Sequence, residues 1–237
     1  MRCIKVFAVL MVLILQSCSS YRQGVTATCP EAVRFLPEYP SFEDREVFFN
    51  DSLLFRRGMA LRDTERGKQA VIDAGITLDF YLERFGEVMG VKLSEQDSPA
   101  VAAYLKAAYE FTGKGIGKAK HDFTRQRPYS YFGMHSSIPE EEERCGQFSS
   151  YPSGHALMAW VMALALASID EEHQYEIVRL GYELGQSRVI SGFHYQSDVD
   201  AGRIAAGVAY ARIVSDPAFI TLMDDARKEL ERLREYE

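Results

Sequence analysis

Cysteine and histidine are both scarce in this chain, with four and five residues in 237. Neither a CxxC pair nor an HExxH motif occurs, which argues against a zinc site. Positive charge is not in excess either. The formal net charge is −7, so the broad basic surface that nonspecific nucleic-acid binding needs is absent, and no nucleic-acid-binding role is expected. There are no β-alternating runs, no internal repeats and no low-complexity tract. No apolar run outside the N-terminus reads as a membrane span. The acidic run Glu140 to Glu143 lacks the interleaved ligand spacing of a calcium loop and reads as a solvated loop.

What is present starts with an export signal. Arg2 and Lys5 precede an unbroken apolar stretch, Val6 to Leu15, too short for a comfortable span and suited to a signal peptide. Leu15-Gln16-Ser17-Cys18 follows and resembles a lipobox, in which Cys18 would be lipidated; Gln16 departs from the usual small residue. An ordinary cleaved signal is the alternative, and both imply export to the periplasm or cell envelope. Membrane contact is then expected only through the lipid on Cys18. Cys3 lies in the signal, so Cys29 and Cys145 are left as candidates for a disulfide in an oxidising compartment, or as two free thiols.

The expected organisation is a signal peptide over 1–17, a lipidated tether and extended arm over 18–50, and one domain over 51–237. Hydrophobic residues at 47% allow a sizeable core. The pattern predicts helices over Ser52–Ala74, Leu78–Met89, Pro99 to about Gly113, and on to Gln126 after an interruption at Gly113, Gly115 and Gly117. Further helices are expected over Gly154–Ile169, His173–Val189 and Ser197–Val214. A charged, largely exposed last helix follows, with Asp216 as its cap. Residues 129–152 read as one long irregular stretch. The predicted fold class is all-α, a helical bundle.

Three segments carry chemistry. In the first, Lys120 and Arg127 stand seven apart before Pro128, on one face if a helix holds. In the second, Tyr151-Pro152-Ser153-Gly154-His155 opens an apolar helix. Ser153 is a natural N-cap, Gly154 leaves the backbone bare, and helix-start N–H groups bind anions. In the third, Arg188 precedes His194 and Asp198. A helical turn would bring that carboxylate to the imidazole and leave the other ring nitrogen free as nucleophile or base. Each segment alone has an ordinary structural explanation. Together they supply anion clamps, a nucleophile and a proton donor.

In order, the segments read K-x6-RP, PSGH and SR-x5-H-x3-D. This pattern resembles the type-2 phosphatidic acid phosphatase and vanadium haloperoxidase superfamily. It is closer still to the class A bacterial nonspecific acid phosphatases, through Arg57 to Gly67, Ser150 to His155, Gly181 to Ile190 and Gln196 to Gly202. Ala156 and Ser191 depart from residues common in relatives. The resemblance implies hydrolysis of small-molecule phosphate monoesters without metal or other cofactor, some capacity for phosphotransfer, and a homo-oligomer. It assigns the nucleophile to His194, its orientation to Asp198 and the proton donor to His155. Phosphate binding falls to Lys120, Arg127, Ser153, Gly154 and Arg188. A vanadium haloperoxidase, a lipid phosphate phosphatase and an inactive anion-binding lipoprotein are the competing readings.

Two outcomes are expected on this reading. Vanadate, which mimics five-coordinate phosphorus, should inhibit; no inhibition at millimolar vanadate would count against the site. Bromination dependent on halide and peroxide should be absent, and its appearance would move the chain to the haloperoxidases.

Overall fold

The computed structural model describes residues 24–235, so the signal segment and Cys18 lie outside the described residues. Ten α-helices and one short 3-10 helix, Ala32–Arg34, form the described part, which contains no strand. The helices are α1 (Arg45–Leu61), α2 (Glu65–Ile72), α3 (Leu78–Met89), α4 (Pro99–Asp122), α5 (Pro128–Tyr131), α6 (Pro139–Cys145), α7 (Gly154–Ala167), α8 (Gln174–Ile190), α9 (Gln196–Ile213) and α10 (Pro217–Glu235).

The axis of the bundle is α7, because its sequence, GHALMAWVMALALA, is apolar on every side. A helix of that kind is stable only when surrounded. It packs against α8, α9 and α4, while α10 lies along α4. The main core includes Leu157, Val161, Met162 and Leu166 of α7, with Leu105 and Ala108 of α4 and Ile177 and Leu184 of α8.

Several expectations are corrected. The helix expected over Ser52–Ala74 is two helices, because Thr64 accepts the Gly67 N–H and starts α2 afresh. Arg62, at the break, donates to the carbonyls of His135, Ile190 and Ser191. The boundary placed at residues 50/51 falls inside α1. The arm before it is not a free tether over its described part: Ala32 and Leu36 are buried. Asp216, besides capping α10 through Ala218 and Phe219, accepts from the Thr26 and Ala27 backbone at 2.9 and 2.8 Å.

The glycines at 113, 115 and 117 do not interrupt α4. At Gly115 the N-terminal arm crosses so closely that a Cβ would come within 2.6 Å of the Pro30 carbonyl oxygen and 2.7 Å of Cys29 Sγ. That crossing also answers the disulfide expectation. Cys29 is held there as a free thiol, while Cys145 closes α6 against Tyr129, Ile138 and Phe193 and is free as well. Residues 129–152 carry α5 and α6 rather than one irregular stretch, and Glu140 to Glu143 sit in α6 rather than in a solvated loop.

The last helix is less exposed than its charge suggests. Glu229 is buried, and its carboxylate accepts the Ala100 and Val101 N–H groups at 2.7 and 2.9 Å, capping α4 from a neighbouring helix. Glu229→Ala should therefore cost about 2 kcal/mol of stability, read as a lower urea midpoint. Its KM should be unchanged, because the opposite end of α4 lies roughly 30 Å away.

Candidate active site

Three chain segments meet at one end of the bundle. The first is the C-terminus of α4 with the extended stretch after it. The helix stops at Asp122, so Lys120 and Arg127 do not share a helical face as expected. They meet through Ser149 instead, whose carbonyl accepts from Lys120 Nζ at 2.9 Å and Arg127 Nη2 at 3.3 Å. Arg127 lines the site beside His194, while Arg125 turns into the core toward Asp51 and Asp198.

The second segment enters α7. Ser153 is its N-cap, with Oγ accepting the Ala156 N–H at 3.3 Å. A Cβ built on Gly154 would meet nothing closer than Lys120 Cε at 3.8 Å, so packing against protein does not demand glycine there. The bare backbone at this helix start is open to an anion. His155 follows in the first turn, with Nε2 3.2 Å from the Ala74 carbonyl oxygen.

The third segment is the C-terminus of α8 and the turn into α9. Gly192, at φ +83°, reverses the chain so that the Phe193 and His194 N–H groups both donate to the Arg188 carbonyl. Arg188 is wholly buried, with its guanidinium 4.4 Å over the Phe193 ring. His194 is 2% exposed, and its Nε2 lies 3.3 Å from Arg127 Nη1.

Asp198 is near His194, but not through a helical turn. His194 precedes α9, and its Nδ1 lies 3.6 Å from Asp198 Oδ2, longer than a hydrogen bond. Asp198 Oδ2 accepts from Ser150 Oγ at 2.6 Å and the Tyr195 N–H at 2.8 Å, and Oδ1 from Arg125 Nη1 at 2.7 Å. The second shared ion of this cluster is Asp51, 2.8 Å from Arg125 Nη2.

The electrostatics are those of an anion site. Burial, then the neighbouring Arg127, lowers Lys120 to about 7. Burial, followed by the Arg127, Lys120 and Arg188 charges, holds His194 well below its ordinary value. Burial, then Arg188 and His194, does the same to His155. The free protein thus carries both imidazoles neutral near pH 7. Among the described residues no three His, Cys, Asp or Glu side chains gather as a metal-binding group.

The eight expected site residues are therefore brought to one end of the bundle. Arg125, Asp51, Ser150 and Glu141, which is paired with Arg188 at 3.1 Å, were not foreseen. Only Arg125 had a sequence signal, its place two residues before Arg127.

A family model of the PAP2 superfamily matches residues 101–219. A non-specific acid phosphatase of Providencia stuartii is 38% identical over 189 residues, 79% of this chain and 76% of that protein. One of Salmonella typhi is 36% identical over 197 residues, 83% of this chain and 78% of its own. An acid phosphatase of Zymomonas mobilis is 33% identical over 185 residues, 78% and 70% of the two chains. The family model spans all three segments, and these matches show that the chain belongs to the PAP2 superfamily and, within it, to the class A bacterial non-specific acid phosphatases.

Proposed function

We propose that this protein is an exported acid phosphatase that hydrolyses phosphate monoesters through a phosphohistidine on His194, without metal or cofactor. One observation carries the reading: Lys120, Arg127 and Arg188 gather around a buried histidine whose Nε2 lies beside the Arg127 guanidinium. The names of the relatives, acid phosphatases, support the same substrate class.

In the first step His194 Nε2 forms a bond to phosphorus as the bond to the leaving alcohol breaks, and His155 gives that oxygen its proton. In the second, His155 takes a proton from water, the water oxygen bonds to phosphorus, and His194 is released. The three cations, Ser153 and the Gly154 amide neutralise and position the phosphoryl oxygens; fixed charges do this without reorganisation at the moment of reaction. Asp198 faces Nδ1 and favours the proton there, which leaves Nε2 as the lone-pair nitrogen. An alcohol could replace water in the second step, which is the basis of the phosphotransfer reading.

Export through the N-terminal signal, lipidation at Cys18 as the sole membrane contact, and assembly as a homo-oligomer belong to the same proposal. No helix among the described residues is long and apolar enough to cross a membrane. Incorporation of a fatty-acid analogue that is lost in Cys18→Ser would support the anchor, and unlabelled wild type would remove it.

Three results are expected from kinetics. Hydrolysis of p-nitrophenyl phosphate should persist in excess chelator and fall about 10³-fold or more in His194→Ala. Labelled substrate quenched in base should leave phosphate on the protein, stable to base and labile to acid; absence of that species, or loss of turnover with chelator, overturns the mechanism. The pH profile follows from the lowered His155. Its proton is needed for the leaving group, so kcat/KM, which reports the free enzyme, should turn down with rising pH at a value below about 6.5. Lys120, at about 7, loses its charge next and weakens anion binding further. The limb of kcat should lie at higher pH, because bound phosphate favours protonated His155. An alkaline optimum would contradict this assignment.

A further inference from the structure

The acidic run in α6 divides by environment. Glu140 and Glu143 are exposed, while Glu141 and Glu142 turn inward. Glu142 is used locally: it accepts the Ser136 N–H and faces His135 Nδ1 at 3.2 Å, which fixes the start of α6. Glu141 reaches the catalytic end of the bundle. Its Oε2 lies 3.1 Å from Arg188 Nη2, and its Oε1 3.1 Å from Arg144 Nη2.

Arg188 is the buried phosphate clamp of the proposed mechanism, and its Nε and Nη1 have no protein partner among the described residues. A carboxylate is the protein group closest in charge and geometry to a phosphate edge, and it meets a guanidinium through the same N–H directions. Glu141 takes one terminal nitrogen of that fork. Burial and the Phe193 ring beneath it also confine the guanidinium. The other site carboxylate, Asp198, is turned to Arg125 instead. Glu141 is the carboxylate on Arg188, beside the position that an incoming anion requires.

We propose that Glu141 is a built-in competitor for the phosphoryl subsite: its carboxylate occupies Arg188 in the free protein and yields it to a phosphate oxygen. Glu141 thereby sets the affinity for phosphate anions, weakening substrate and product alike. The inference rests on the reading of Arg188 as a phosphate clamp. Interactions made equally with bound ground states move KM and product inhibition together.

The test is the binding of inorganic phosphate, by calorimetry, to the full chain as wild type, Glu141→Gln and Glu140→Gln, with thermal melts to confirm folding and Glu141→Ala as a second variant. Glu141→Gln should bind phosphate about tenfold more tightly, the equivalent of about 1.4 kcal/mol, and its KM for p-nitrophenyl phosphate should fall in step. Glu140→Gln should match wild type. Unchanged or weaker phosphate binding in Glu141→Gln overturns the inference and makes Glu141 a support for Arg188. Because binding is read without turnover, failure of wild type to hydrolyse the ester sinks the proposed mechanism while leaving this result standing. Phosphate binding to none of the proteins sinks both.

Discussion

A single buried guanidinium, that of Arg125, ties the fold to the site. It donates to Asp51 Oδ2 at 2.8 Å, to Asp198 Oδ1 at 2.7 Å and to Ser197 Oγ at 2.7 Å, and it lies 4.1 Å over the Tyr195 ring. Asp51 also accepts the Ser197 N–H and hydroxyl, at 2.9 and 2.6 Å. One charge thus fastens α1, the extended stretch after α4 and the start of α9. Burying such a cluster costs several kcal/mol per ion, which these ion pairs and hydrogen bonds offset. Removal of Arg125 would leave two buried carboxylates without their counterion, so the three segments are held in one arrangement.

That arrangement also settles what Asp198 can do. With Arg125 on one oxygen and Ser150 and Tyr195 on the other, the carboxylate is immobile, and it faces His194 at 3.6 Å without a hydrogen bond. It caps the start of α9 and, in the proposed mechanism, is also a fixed negative charge beside Nδ1.

The cations on the other side of His194 are held against their mutual repulsion. Lys120 falls to about 7, and both histidines are pushed down. Ser149 stands at φ 65°, a left-handed conformation that costs a non-glycine residue roughly 1 kcal/mol. The same residue offers its carbonyl to both Lys120 and Arg127. Glu141 relieves Arg188. Each keeps positive charge concentrated at one point, and the accumulated repulsion is a reason for the site to favour an anion.

Local pattern determined a good deal. The apolar sequence of α7, the bounds of α3 and the Asp216 cap depend on neighbours a few residues away, and the structure shows them as the pattern implies. The motif residues stood out by type and spacing, and the structure brings them to one end of the bundle. Other features needed the tertiary structure. Gly115 reads as a breaker until the arm is seen crossing α4. Glu141 reads as one solvated carboxylate among four, and Cys29 and Cys145 as a pair. Asp51 carries no signal at all, since its partner lies 74 residues away. The division has a physical cause: helix periodicity and capping are written in short-range spacing, whereas the desolvation that forces a buried charge to find its partner exists only once distant segments have packed together.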